Sequence, residues 1–371
     1  MTNPRVAIVH LGRASGMGGL RRVDGMANLF RSTGADVAEV RLRVEHPASW
    51  RDVSVRRISD VFRGSAVPES LSWSLSEVGH RLKFLDPDLV ICETARAYSE
   101  RLPIRRPILL DFVDQLSTSY ADRARTGRTL DRVGFKSLTV PMRAFERRQS
   151  RNENLLRLAV GWTEARSLNA DWLPLMVDST AARLTTMASR EARDRGASAV
   201  FFGNLSYAPN VEAVLRLGRL WPMIDAQVGG ATLTIAGARP AMSVRKLAEV
   251  QGWNLQPDVA DMAAVLSEAD LALVPLLHAS GMQTKVLEAA VAGLPQVISA
   301  QAAAGFAPGL PVTIARDDAE FVRQAVDLLR DPDRQVSEGA VAQSHVLKRY
   351  SIQEWTGWAI DLIESVLNSR Q

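Results

Sequence analysis

Gly281, Lys285 and Glu288 stand at i, i+4 and i+7, so on a helix they share one face. They lie in the stretch DLALVPLLHASGMQTKVLEAAVAGLPQVIS, residues 270–299. Its pattern predicts a buried strand at Leu271–Val274, a loop, a helix opening at Gly281, and a strand at Gln296–Ser299. Gly293 and Pro295 stop that helix, since glycine accepts a left-handed cap and proline cannot continue the turn. Val286, Leu287, Ala290 and Val291 fall on the other side and are expected against a sheet. An exposed helix entrance of this kind suits a phosphorylated ligand that also carries hydroxyls. The helix N-terminus favours an anion, Lys285 adds a full positive charge, and Glu288 offers two acceptor oxygens to a vicinal diol. A helix with one solvated charge pair has the same spacing.

The elements that must position these residues come from alternating strand and helix patterns. Strands are expected at Val6–His10, Val37–Leu42, Leu89–Cys92, Ile108–Phe112 and Leu158–Trp162, with a weaker one at Val53–Ile58. A second series follows at Ala199–Gly203, Ala231–Gly237, a short segment near Leu255–Val259, and Pro311–Ala315. Helices are expected at 23–31, 211–220, 261–268 and 320–329. Between Asn169 and Ala197 the pattern loosens into a polar helix, the expected crossing between domains. Such alternation argues for parallel α/β sheets with helices on both faces. Trp355, Trp358, Leu362 and Val366 recur at helical spacing in the tail, which is expected to pack rather than to bind.

The loop Gly12–Gly19 follows the first strand, where open α/β sheets place ligands. Gly16, Gly18 and Gly19 do not spell G-x-G-x-x-G, and the second strand ends in Arg41, Leu42 and Arg43 rather than an acid. That weighs against a nicotinamide dinucleotide and favours a backbone that approaches a ligand closely, with a plain tight turn as the alternative.

Length favours two domains. Apolar residues at 46% and charged residues at 23% exclude a disordered or fibrous chain, and the apolar runs are strand-sized. The opening MTNPRVAIVHLG is too short in its apolar run for a secretory signal. A lone cysteine, Cys92, excludes internal disulfides and cysteine-based zinc clusters, so the cytoplasm is the expected compartment. The charge is uneven: residues 1–185 hold 29 Lys/Arg against 21 Asp/Glu, and the remainder 16 against 20. Ten of those basic residues lie between Tyr120 and Arg157. Such a patch fits an anionic membrane surface, a phosphorylated acceptor or a solvated helix pair; without aromatic interleaving, nucleic acid is not expected.

Taken together, FFGNLSYAPN, LTIAGARP, DVADMAAVLSEADLALVPL and SGMQTKVLEAAVAGLPQVIS resemble, in order, the nucleotide-binding domain of family 4 retaining glycosyltransferases. ILLDFVDQLS and AFERRQSRNENLLRLAVGWTEARSL resemble the matching part of a bacterial exopolysaccharide-type subgroup. The resemblance implies the GT-B fold, two Rossmann-like parallel-sheet α/β domains facing each other across a cleft. The expected boundaries are an acceptor-binding domain at 1–175, a donor-binding domain at 176–350, and a helix at 351–371 packing back towards the first. It further implies a nucleotide-diphosphate sugar as donor substrate, a sugar, lipid-linked or small-molecule acceptor, and no cofactor or metal.

By the same resemblance Glu288 matches a glutamate that binds the donor ribose. Gly281, Met282, Gln283 and Thr284 match a loop on the diphosphate and sugar. Gly16, Gly18 and Gly19 match a loop over the donor from the first domain, and Gly203 and Gly237 match strand-end glycines beside the nucleotide. Three positions depart from the pattern. Ser280 stands where a second glutamate is usual, and Asn204 and Pro209 stand where many relatives carry an arginine and a lysine on the diphosphate. Lys285 then becomes the expected counter-charge, as in the subgroup, which pairs a Tyr-x-Pro-Asn segment (207–210 here) with a lysine at that position. Asn204 and Ser280 are expected to orient diphosphate or sugar, and Asp114 to contact sugar or acceptor unless it merely caps its strand. His10 and His278, bordering the expected cleft, receive no role. A decayed, binding-only protein, a sugar-nucleotide epimerase or hydrolase, and a nicotinamide-dependent dehydrogenase are the alternatives.

Overall fold

The computed structural model describes residues 3–12, 16–43, 55–126, 129–177 and 196–369. The chain forms two compact units, one of residues 1–176 with 352–371 and one of residues 177–351. In the first, strands β1 (Arg5–His10), β2 (Asp36–Arg41), β3 (Leu89–Glu93), β4 (Ile108–Asp111), β5 (Leu155–Ala159) and β6 (Asp171–Trp172) alternate with helices. These helices are α1 (Gly16–Ser32), α2 (Val55–Phe62), α3 (Leu75–Leu85), α4 (Leu116–Thr126), α5 (Thr129–Gln149) and α6 (Trp162–Ser167). The strands pair in parallel in the order β2-β1-β3-β4-β5-β6. Apolar side chains fill both faces, as an all-parallel sheet requires. Val6 and Ile8 pack on one side with α1, while Ala7 and Val9 pack on the other.

The second unit repeats the plan with β7 (Ser198–Phe202), α7 (Ala208–Val228), β8 (Thr232–Gly237), α8 (Met242–Gln251), β9 (Asn254–Pro257), α9 (Met262–Ser267) and β10 (Leu271–Val274). It continues through α10 (Thr284–Val291), β11 (Gln296–Ser299), α11 (Ala300–Ala303), β12 (Thr313–Ala315), α12 (Asp318–Leu329) and α13 (Pro332–Arg349). Its parallel sheet runs β12-β11-β10-β7-β8-β9. The last helix, α14 (Ile352–Asn368), returns to the first unit. There it buries Ala359, Ile363 and Val366 with α1, and Trp355 meets Trp172 edge-on at 5.5 Å.

Three local expectations change. Residues 55–62 form a helix, not a strand. The short segment VRRISDVF buries Val61 in the core and turns its neighbour Asp60 inward to Arg101 at 2.6 Å, two consecutive buried residues that a strand's alternation does not give. The glycine loop is shorter than expected, because Gly16, Gly18 and Gly19 already form the first turn of α1. Finally, β5 starts and ends three residues early, and Trp162 opens α6 instead. The polar helix expected between the domains lies outside the described residues. Among those described, no helix is long and apolar enough to cross a membrane.

The carboxyl end of the first sheet holds a buried charge network. Arg22 of α1 grips Asp111 through Nε at 2.7 Å, and its Nη1 donates to the Pro174 carbonyl at 2.7 Å. Both members of this pair are fully enclosed. Asp111 stands in register beside Glu93, whose two carboxyl oxygens are buried without a hydrogen-bond partner. Burial, and then the neighbouring Asp111, push the Glu93 acid up to about 8. A raised folded-state value means the native protein binds the extra proton between about 4.5 and about 8. Stability from this group is therefore complete below about 4.5 and lost as pH rises through about 8. The unfolding free energy should fall between pH 5 and pH 9 more steeply in the wild type than in Glu93→Gln, by up to roughly 1 kcal/mol per pH unit, read as a steeper fall in melting temperature. Parallel melting profiles for the two proteins would refute this.

Candidate functional site

Strand order places the site of the second unit. Between β7 and β10 the chain changes direction across the sheet, and open α/β sheets offer a ligand crevice beyond the carboxyl ends at such a point. Gly203 follows β7, Gly237 closes β8, and the loop 275–283 leads from β10 into α10. Gly203 donates its N–H to the Ala236 carbonyl at 3.0 Å. Gly237 sits so close that a Cβ there would overlap the Gly203 carbonyl oxygen. Both glycines hold φ near +143°, a region closed to side-chain-bearing residues. The two backbones thus make a bare ledge.

Lys285 lies beneath this ledge, not on an exposed face as the spacing suggested. It is 6% exposed. Its Nζ donates to Oδ1 of Asn210, stands 4.7 Å above the Phe201 ring, and lies 3.6 Å from where a Cβ on Gly203 would be. Periodicity correctly sets Lys285 one turn from Glu288 but cannot show that the start of α7 covers that side. Burial pushes the Lys285 acid down to about 7, and the Glu288 carboxylate pulls it back up. The amine is therefore poised between neutral and charged, and an added anion beyond the ledge would restore its charge.

The helix opens at Thr284, three residues later than expected. Gly281 takes φ +62°, a left-handed turn that a helix cannot include, and its carbonyl packs against Gly305, where a Cβ would overlap it. Gln283 caps the helix without a side-chain bond, because its amide turns back to the Ser280 carbonyl at 3.2 Å. The cap residue's side chain therefore gives the first amides of α10 no acceptor, and Val286 N–H donates instead to the Gln283 carbonyl at 3.0 Å. Met282 is buried, while Ser280, Gln283, Thr284 and Glu288 are half-buried. Asn204 is engaged locally: its Oδ1 accepts from the Ser206 N–H at 3.1 Å and hydroxyl at 2.8 Å. Pro209 fits the first turn of α7, where no N–H is needed.

Sequence reasoning assigned no role to Asn210, Phe201 or Gly305. Asn210 ties the parts together, its Nδ2 donating to the Asn204 carbonyl at 2.9 Å while its Oδ1 holds Lys285. Its signal was the Tyr-x-Pro-Asn segment itself. In the first unit, Asp114 is ion-paired to Arg96 at 3.5 Å, which in turn holds Glu69 at 3.1 Å. His10 is buried, its Nδ1 accepting from the Gly12 N–H at 3.1 Å, and burial lowers its acid, so it packs as a neutral ring.

The buried amine gives a stability signature. Because its folded-state value is lowered, the unfolded chain binds more protons between about 7 and the ordinary 10.5, and stability rises with pH across that window. Lys285→Met should flatten that rise, gaining on the wild type most below pH 7. Asn210→Leu, which strands the amine, should cost about 1–3 kcal/mol in urea unfolding at pH 7. Identical pH profiles for the wild type and Lys285→Met would overturn the buried placement.

Residues 196–331 match the family model described as glycosyl transferases group 1. No curated protein matches the chain in sequence. Solved structures do match in fold. A glycosyltransferase from Rickettsia africae superposes with a TM-score of 0.66 at 7% identity, covering 99% of both chains. HepE from Anabaena, crystallised with UDP and glucose, gives 0.61 at 12% identity over 99% of this chain and 100% of its own. A variant of S. aureus TarM, in complex with UDP, fondaparinux and α-GlcNAc-glycerol, gives 0.55 at 10% identity over 79% of this chain. The chain spans 59% of the length of that protein. The second unit thus carries a match to the glycosyl transferases group 1 model, in a chain with the GT-B fold of two Rossmann-like units.

Proposed function

We propose that this chain is a retaining glycosyltransferase that moves a sugar from a nucleoside-diphosphate sugar to an acceptor hydroxyl. The acceptor would be a polysaccharide, a lipid-linked sugar or a small natural product. The observation that carries the reading is the Lys285 amine, held by Asn210 directly under the bare ledge of Gly203. It sits inside the segment that matches the glycosyltransferase model. The diphosphate lies over the ledge, met by Lys285 and by the uncapped amides that open α10. Glu288, one turn along, accepts from the ribose diol. Asn204 and Ser280 orient diphosphate or sugar. In the transfer, the bond from the anomeric carbon to the diphosphate oxygen breaks. A bond to the acceptor oxygen forms on the same face, and the acceptor proton leaves on the diphosphate. Protein groups alone neutralise the leaving group, without a metal.

Neighbours with this fold have been crystallised with UDP and with UDP-glucose, which supports a uridine nucleotide as the first donor to try. A thermal-shift panel of UDP, GDP, ADP, dTDP and NAD tests the reading, since a ligand at a hundred times its Kd stabilises by about 2.7 kcal/mol. One nucleoside diphosphate should raise the melting temperature and NAD should not. Lys285→Ala and Glu288→Ala should each weaken that binding more than tenfold, about 1.4 kcal/mol. Binding at pH 8 should also take up a proton, read as a calorimetric enthalpy that changes with the buffer's own ionisation heat and ceases to change in Lys285→Met. A response to NAD alone, or wild-type affinity in both alanine variants, would sink the assignment.

A further inference from the structure

Glu93 closes β3, which lies between β1 and β4, and the order of the first sheet changes direction between β1 and β3. As in the second sheet, a ligand crevice belongs beyond these carboxyl ends. Alternation along the strands puts His10, Glu93 and Asp111 on the face that packs with α1, beyond Ile8, Ile91 and Leu109. Glu93 is 1% exposed, and both its oxygens lack a hydrogen-bond partner among the described residues. Thr94, the next residue, holds φ +66°, which a β-branched side chain keeps only where its surroundings impose it.

The charged groups that act on this acid already occupy one another. Arg22 is held by Asp111 at 2.7 Å, and Arg96 by Glu69 at 3.1 Å and Asp114 at 3.5 Å. The Tyr120 hydroxyl also donates to Oε1 of Glu69, while Oε2 of Glu69 is buried without a partner among the described residues. Three carboxylates thus meet two guanidinium groups, and neither arginine is left over for an anion. What is left over is acceptor capacity, in one oxygen of Glu69 and two of Glu93. Burial keeps Glu93 protonated at neutral pH, and such a carboxyl offers one donor and acceptor lone pairs, the same kinds of group that a hydroxyl offers in return. A phosphate brings mainly acceptors and charge. The Arg96, Asp114 and Glu69 side chains are 19, 25 and 32% exposed, so the network runs from the surface in to the buried acid.

We propose, resting on the transferase reading, that Glu93, Glu69, Asp114 and Arg96 bind the hydroxyl groups of an uncharged sugar, the acceptor of the transfer, and select against a phosphorylated one. The basic charge of the first half of the sequence admits a phosphorylated acceptor; these residues, with three carboxylates to two cations around Glu93, do not. Sugar hydroxyls donate to Oε2 of Glu69 and to Asp114, and exchange a donor and an acceptor with Glu93. All of these residues belong to the first unit and Lys285 to the second, so sugar binding and nucleotide binding can be read apart.

Saturation-transfer NMR on the full chain tests this with the methyl glycosides of glucose, galactose and mannose, with the corresponding sugar 6-phosphates, and with glucosamine. At least one methyl glycoside should bind, and its 6-phosphate counterpart should bind about tenfold more weakly or worse. Glu93→Gln, whose amide also offers donor and acceptor, should keep the affinity within about threefold, whereas Glu93→Leu should lose about tenfold or more. Asp114→Asn, which frees Arg96 of one carboxylate, should bring the 6-phosphate to within about threefold of the uncharged sugar. Melting temperature and the nucleoside-diphosphate response serve as folding controls in every variant. A nucleotide response without binding of any methyl glycoside would overturn this proposal alone. So would a 6-phosphate or glucosamine that binds as tightly as the uncharged sugars, or equal losses in Glu93→Gln and Glu93→Leu. Sugar binding with no nucleotide response would overturn the transferase reading, and with it the sugar's place as acceptor.

Discussion

An ammonium group removed from water governs how the second unit is built. Lysine is rarely buried without a partner, since the charged form loses its hydration. Here Lys285 is given one carboxamide oxygen, from Asn210, and one aromatic face, from Phe201. The requirement spreads from there. Gly203 must lack a side chain to let the amine approach the surface, and Gly237 must lack one to let Gly203 lie where it does. Asn210 must open the buried side of α7 directly after Pro209, so the β7–α7 turn is fixed as well. Even so, one carboxamide and a ring do not compensate a full charge, which is why burial brings the acid down to about 7. A group so placed is preorganised for an anion: the ligand need not order it, and supplies the missing half of its environment.

The contrast with Arg22 in the first unit makes the point sharper. That guanidinium is as deeply enclosed, but Asp111 and the Pro174 carbonyl already satisfy it. A fully partnered buried pair is costly to break and has nothing left to offer a ligand. The orphaned group on that side is an acid, Glu93, held neutral by its surroundings. Both sheets have the same kind of switch in strand order, but their chemical offers differ. The first keeps a closed network with one protonated carboxyl. The second keeps a half-compensated amine and an uncapped helix. Among the described residues, the second is the one arranged to gain by binding an anion.

Strand positions were legible because fully buried parallel strands leave continuous apolar runs: LALV, LVIC and QVIS need no tertiary knowledge. The stop at Gly293 and Pro295 was legible for the same local reason. What failed was whatever depends on a partner far away in the chain. VRRISDVF holds too few residues to separate a strand from a helix by period, and its placement is decided by Arg101 and by the core around Val61. Gly281 signalled a break in regular structure, but sequence does not say whether a glycine opens a helix or turns the chain just before one. Lys285 was correctly singled out and wrongly exposed. Its acceptor lies 75 residues earlier, and the ring above which its amine stands belongs to β7.

The basic stretch shows the converse error, in which a sequence signal is real but too coarse. Ten cations in a row of helices read as one patch, yet a patch is defined by what is left after internal pairing. Arg148 and Arg157 are structural: one ties α5 to Glu100, the other collects carbonyls where the chain leaves the helix. Charge alone gives a weak, salt-sensitive attraction to any polyanion.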